Sequence, residues 1–182
     1  MSILTYNELL ELVDAGYIEN VQPGQINGAS IDLTLGDEFC REAWGEGIGH
    51  VVDLSKKQAP GMVFQKGGSV TLAPGEFCLA ATREVFHLPD DVAGHYMLKS
   101  SLARAGLQHL FAGFADPTWN NSVLTLEFKN DLRHHSLKLT AGMKCGQMVF
   151  FRGSSPVPHE HSYAVRGQYN KNLGTQPSKG VR

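Results

Sequence analysis

The sequence predicts a mainly β fold, a sandwich or jelly-roll-like barrel with one short N-terminal helix and a mobile C-terminal tail. Two observations carry this. From Val21 onward Gly and Pro interrupt the chain roughly every ten residues: Pro23-Gly24, Gly36, the stretch 45–49, Pro60-Gly61, Gly67-Gly68, Pro74-Gly75, Pro89, Pro117, Gly142 and Gly153. Between them lie strand-length runs at 30–35, 69–72, 77–81, 95–98, 123–128, 136–139 and 147–151. Many short strands separated by turn residues fold as a sandwich or barrel.

The helix comes first. Thr5-Tyr6-Asn7-Glu8 reads as a capping box, with Leu4 and Leu9 as the hydrophobic staple, so a helix is expected from Tyr6 to Asp14, ended by Gly16. In the run 30–35, Asp32 has two readings, a buried acid tying that strand to a neighbour or a ligand residue. Residues 122–128 alternate, with Val123, Thr125 and Glu127 on one face and Leu124, Leu126 and Phe128 on the other. The tail, 163–182, is rich in Gly, Asn, Gln, Lys and Ser, with Val165, Leu173 and Val181 as its aliphatic anchors, a composition that predicts mobility.

At 182 residues the chain is expected to form one domain, 1–182. That length buries roughly 70% of the unfolded surface without staples. A net charge of −2 leaves no electrostatic footprint for nucleic acid or an anionic membrane. Cys40, Cys78 and Cys145 sit in apolar or strand-like runs and read as reduced core thiols. With no signal peptide and no long apolar span, a soluble, cytoplasmic protein is expected.

The chemistry is concentrated in 97–130. Lys99, Ser100, Ser101 and Arg104 form a K-S-S-x-x-R cluster whose hydroxyls, amides and cations suit phosphate oxygens. The same residues are also an ordinary helix start with Ser at the N-cap. Glu127 ends a β-branched face. A carboxylate there loses hydration, which favours its protonated form and makes it a candidate general acid/base. The alternative is an edge-strand Glu facing solvent or paired with Lys129 or Arg104.

Metal chemistry has less support. His159-Glu160-His161 and His134-His135 lie in polar segments without a third ligand at a recognisable spacing. Zinc deaminases of nucleobases use a P-C-x-x-C element, and no C-x-x-C occurs here. Deamination of cytosine by this chain would need water activated without zinc.

Three motifs in one register resemble a known family. K-S-S-L-A-R-A-G-L, A-G-F-A-D-P-T-W and L-T-L-E-F-K-N are similar to R-S-S-L-A-R-x-G-L, A-x-x-I-D-P-G-W and x-x-L-E-x-x-N of the dCTP deaminase family, within the dUTPase-like superfamily. The segments beginning at Ile26, Pro74, Gly142 and Gln168 extend the likeness in order over nearly the whole chain.

The resemblance implies a dUTPase-like distorted jelly roll and hydrolysis of dCTP to dUTP and ammonia, a supply of dUTP for thymidylate synthesis. Glu127 takes the catalytic glutamate's place. Ser100 and the Ala112 carbonyl would hold the water, with Arg104 orienting it. Lys99, Ser100, Ser101, Leu102, Ala103 and Arg104 would lie along the triphosphate, Asp116 at the 3′-hydroxyl, and the Thr125 and Leu126 backbone at the base edge. Tyr163, Gln168 and Asn172 would close over the nucleotide from the tail. Mg2+ is implied as the triphosphate's counter-ion, and a homotrimer with shared sites as the assembly.

Two other readings stand beside this one: a bifunctional deaminase–pyrophosphatase, whose A-G-F-x-D feature is shared by Ala112-Gly113-Phe114, and a nucleotide-binding regulator without turnover. Departures from the family pattern are also specific. Lys99 replaces arginine, Gln168 the tail lysine and Asn172 the tail glutamine. Thr118 and Asn121 stand where glycines are usual. The interval from Asp116 to Glu127 is one residue longer, so a turn or bulge must absorb it if Glu127 is to face inward.

Overall fold

The computed structural model describes residues 1–43, 49 and 51–180. Of the glycine-rich stretch 45–49 only Gly49 falls within them, and Val181 lies outside. The chain runs β1 (Ser2–Ile3), α1 (Tyr6–Asp14), β2 (Ile18–Glu19), β3 (Ile31–Glu42), β4 (Met62–Lys66), β5 (Ser69–Leu72), β6 (Phe77–His87) and β7 (Val92–Leu98). It continues through α2 (Ser100–Arg104), β8 (Leu107–His109), β9 (Phe114–Ala115), β10 (Asn120–Asn130), β11 (Leu137–Thr140), β12 (Lys144–Arg152) and α3 (Tyr163–Arg166). The mainly β expectation holds, and each of the seven predicted runs is a strand, most of them longer than the alternation alone marks.

One sheet has the order β8-β10-β6-β3-β12-β7-β9, with β1 on β12, β2 on β6 and β4 on β3; β11 and β5 form a second, two-stranded sheet. The pairs are antiparallel, so one face of each strand can be apolar. Phe39, Phe86, Phe128 and Phe150 fill the enclosed space with Leu33, Leu35 and Leu126, all buried. Phe86 stacks on Trp119 at 5.2 Å between ring centres.

Helix α1 forms as the capping box dictates: the Thr5 N–H donates to Glu8 Oε2 at 2.9 Å, and Leu4 and Leu9 are buried together. Gly16 follows at φ +77°, a left-handed conformation that ends the helix at little steric cost. Helix α2 begins differently from the expectation. Its N-cap is Lys99, and Ser100 is already the first helical residue. Among the described residues no helix is long and apolar enough to cross a membrane.

Strand β10 settles the extra residue. Its register with β6 runs from Asn120 opposite His87 to Lys129 opposite Phe77, with irregularities between Asn120 and Ser122 and between Val123 and Thr125. Asn121 sits at φ +48° and Thr118, just before the strand, at φ +69°. The extra length is taken up in the turn and in the bulged start of the strand. Beyond it the alternation is restored: Leu126 and Phe128 are fully buried in the core, while Thr125 and Glu127 face the other way.

The tail, expected to be mobile, is seen docked. Trp119 Nε1 donates to the Tyr169 carbonyl at 2.8 Å, Val123 N–H to the Asn172 carbonyl at 2.8 Å, and Gln176 N–H to Thr125 Oγ1 at 3.1 Å. Thr175 is buried, its N–H on Glu38 Oε1 at 2.9 Å and its hydroxyl on the Glu38 carbonyl at 3.1 Å. Composition misses this because the partners lie on β3, on β10 and in the turn before β10, far away in sequence.

Candidate active site

Strand β10 is flanked by β6 along most of its length, but β8 meets its other edge only from Phe128 onward. Two bonds bracket the gap: Val123 N–H to the Asn172 carbonyl, and Leu110 N–H to the Glu127 carbonyl at 3.2 Å. Between them Thr125 turns its backbone N–H and C=O, like those of Val123 and Glu127, to an edge without a strand partner among the described residues, while Leu126 faces β6. A sheet edge left open beside a pocket offers backbone donors and acceptors to a ligand.

A cavity of about 500 Å³ opens there. Its walls are largely apolar, with Phe77, Leu79, Trp119 and Val123, and its polar groups include Asp116, Thr125, Glu127, Tyr163 and Asn172. Ala112 completes one side. The structure thus brings together six of the residues singled out from sequence, drawn from the β8–β9 loop, the turn after β9, β10, α3 and the tail. Leu126 is not among the residues lining the cavity, since its side chain belongs to the core. Gln168 lines a neighbouring cleft that shares Asp116, Tyr163 and Tyr169 with the cavity.

Lys99, Ser100, Ser101, Leu102, Ala103 and Arg104 do not line this cavity. Ser100, Ser101 and Arg104 are exposed on α2, and Lys99 is engaged elsewhere. The Lys99 ammonium lies 2.5 Å from Asp32 Oδ1, and Lys144 reaches Asp32 Oδ2 at 2.8 Å. Burial opposes ionisation of Asp32, but hydrogen bonds from Lys144, Lys99 and Asn27 outweigh it and hold the carboxyl below its ordinary value. Of its two readings, Asp32 fits the structural one: it ties β3 to the start of α2 and to β12.

Asp116 differs. It is open to solvent at the cavity mouth, yet the wall beside it removes enough water to push its carboxyl above the ordinary value. A carboxyl so placed is ready to accept or donate a hydrogen bond to a ligand hydroxyl.

Glu127 keeps a quarter of its side chain exposed (25%) and faces the cavity. Its companion is a residue that sequence reasoning misses. His109, on β8, is buried, with Nε2 3.2 Å from Glu127 Oε2. The two atoms are within reach but off the alignment of a hydrogen bond, and neither has another partner. Phe128↔His109 pairing places the ring beside β10. An isolated His in a short apolar run carries no local signal.

The other histidines and the thiols stand apart. His159 and His161 are exposed in a 3-10 turn, and among the described residues no three His, Cys, Asp or Glu side chains gather at one point. Cys78 and Cys145 are buried and pushed up to about 12 by desolvation; Cys40 is raised for the same reason.

The family model described as dCTP deaminase-like matches residues 3–153. The chain belongs to the dCTP deaminase-like family. A relative from Nocardioides sp., named dCTP deaminase, dUMP-forming, is 39% identical over 186 residues, covering 99% of this chain and 96% of its own. A protein of the same name from Nocardia farcinica is 44% identical over 170 residues, 89% of this chain and 82% of its own. The crystal structure of 2′-deoxycytidine 5′-triphosphate deaminase from Agrobacterium tumefaciens superposes with a TM-score of 0.64 at 21% identity, over 83% of this chain. This chain spans about half (49%) of that protein, and the likeness shows the fold. Within the dCTP deaminase-like family match fall Glu127, His109 and Asp116, whereas Tyr163, Gln168 and Asn172 lie beyond it.

Proposed function

We propose that this protein deaminates dCTP and cleaves the α–β phosphoanhydride, so that dCTP and two waters give dUMP, pyrophosphate and ammonia. The observation that carries the proposal is the cavity itself: Ala112, Asp116, Thr125, Glu127, Tyr163 and Asn172, spread over sixty residues of sequence, line one space with apolar walls. The relatives' shared name, dUMP-forming, moves the product from dUTP, which the motif resemblance implies, to the bifunctional alternative that Ala112-Gly113-Phe114 keeps open.

In this reading Glu127 takes a proton from the attacking water, delivers it to N3 as oxygen adds at C4, and passes the second proton to the departing amine. The Ala112 carbonyl holds the water, the Thr125 backbone edge meets the base, and Asp116 meets the 3′-hydroxyl. Tyr163, Asn172 and Gln168 hold the nucleotide from the tail side.

Ser100 and Arg104 enter from a neighbouring subunit. That α2 stands outside the cavity supports this, as do Met97, Leu110, Phe111 and Phe114, exposed apolar residues around the terminal strand β9, Phe111 at 83%. A homotrimer with shared sites would cover them and bring the Lys99–Arg104 cluster to the phosphates. Mg2+ travels with the triphosphate as part of the substrate.

The test is an assay of the purified protein with dCTP and Mg2+, following ammonia and pyrophosphate together, with sedimentation of the active species. Both products in equal amounts are expected. Ammonia with accumulating dUTP would make the protein a deaminase alone, and neither product would leave a binding protein.

A further inference from the structure

We infer that His109 is a positioning residue for Glu127: its Nε2–H holds Oε2 of the carboxylate and so reserves Oε1 for the water and the base. The inference rests on the role proposed above for Glu127.

The geometry points to one oxygen being kept for each task. Glu127 Oε2 is fully buried with His109 Nε2 at 3.2 Å, while the side chain as a whole keeps part of its surface. Oε1 is therefore the oxygen open to the cavity. A carboxylate free to rotate would present either oxygen and lose orientation; one that accepts the Nε2–H at Oε2 keeps Oε1 for the cavity.

The ring is held tightly enough to do this. Tyr96 packs against it at 4.6 Å between ring centres and Phe128 meets it edge-on at 6.0 Å. The His109 backbone N–H donates to Gln108 Oε1 at 3.1 Å. The titratable groups around the imidazole are Glu127 from β10 and Tyr96 from β7, whose hydroxyl is turned away to the Cys145 carbonyl at 3.2 Å. Tyr96 is pushed well above its ordinary value by burial and stays neutral. Glu127 is thus the group against which the imidazole can set its proton.

Both heteroatoms being buried without an aligned partner is costly in a resting protein. A rotation of the carboxylate as the base enters would convert the 3.2 Å approach into a charge-assisted hydrogen bond. In the cycle His109 neither gains nor loses a proton. Both protons from water cross at Oε1.

Two substitutions and one spectroscopic measurement test this. His109→Phe fills the space between Tyr96 and Phe128 without a donor, and His109→Gln returns an amide N–H near the Nε2 position. In the Phe variant kcat for deamination is expected to fall roughly ten- to a hundredfold, the worth of one hydrogen bond to a charged group, with KM little changed. Its kcat–pH profile should differ from that of the wild type, because the carboxylate has lost its Nε2–H partner. The Gln variant should recover most of the rate and the wild-type profile.

Independently of turnover, the ¹⁵N resonance of His109 Nε2 should respond to the ionisation of Glu127 in the wild-type protein and lose that response in Glu127→Gln. A Phe variant with wild-type kcat and profile, a Gln variant no better than Phe, or an Nε2 resonance indifferent to Glu127 would overturn the inference. A protein inactive on dCTP whose Nε2 still follows Glu127 breaks the proposed function instead and leaves the contact standing.

Discussion

On one side of the cavity stands β10, paired to β6 over almost its whole length, with Leu126 and Phe128 driven into the core beneath Thr125 and Glu127. On the other side lies the tail, 167–180, which has no strand and is held by separate hydrogen bonds to Trp119, Val123, Thr125 and Glu38. The two walls face the same space with different physics. A side chain on β10 is aimed by sheet register, which cannot slip without turning Phe128 out of the core. A tail residue is aimed by one or two bonds of about 1 kcal/mol each, so it can leave without unfolding anything.

The comparison can be broken first at Glu127. Glu127→Gln keeps shape and removes the proton shuttle, so deamination should fall ~10²–10⁴-fold with nucleotide binding and thermal stability preserved. Near-normal turnover, measured as ammonia release, would remove Glu127 from the chemistry. Next comes the foundation under it. Phe128→Ala should cost ~3–5 kcal/mol in denaturant unfolding, because a fully buried ring leaves a cavity the sheet cannot close.

The ion cluster behind the wall gives a smaller, pH-dependent effect. The Asp32 carboxyl is held below its ordinary value when folded, so its stabilisation is present above the unfolded carboxylate range and is lost as pH falls through the lowered folded value. Denaturation midpoints measured down the acid range should drop more steeply in the wild type than in Asp32→Asn. Equal slopes would mean that Lys99 and Lys144 give Asp32 nothing.

The tail should respond in the opposite way. Thr175→Val removes the hydroxyl bonded to the Glu38 carbonyl, worth about 0.5–1.5 kcal/mol. Protease cleavage within 167–180 should speed up while global unfolding stays unchanged, and a non-hydrolysable dCTP analogue should restore protection. A tail equally protected in both states is not a lid.

The smallest effect is in the turn before β10. Thr118→Gly relieves a β-branched residue at φ +69° but removes the hydroxyl that accepts from Ala164 N–H at 3.0 Å. The two terms oppose, and the net change in unfolding free energy should stay within ~1 kcal/mol.

Much of the fold and of the site is legible in the order of the residues. Alternation over 122–128 sets Glu127 opposite Leu126 and Phe128, and the capping box at Thr5 predicts α1 with its observed bounds. Two of the three motifs name residues that share the cavity, Ala112 and Asp116 from one and Thr125 and Glu127 from the other, while the first lies on α2 outside it. The bulge is legible only as a need: one residue too many between Asp116 and Glu127, with no sign of where it goes. Composition carries no record of where the tail docks, because its hydrogen-bond partners sit in segments far away in sequence.

What the sequence determined by itself is what local periodicity and spacing encode: strand and turn positions, the first helix, the inward face of β10, and the family. Those depend on neighbours within a few residues, where the chain's own geometry fixes the outcome. Tertiary structure alone decided three things. It set His109 against Glu127, locked Lys99 and Lys144 onto Asp32, and left α2 outside the cavity whose ligand it was expected to hold. Each joins segments that sheet order brings together, and no pattern within one segment records which other segment will pack beside it.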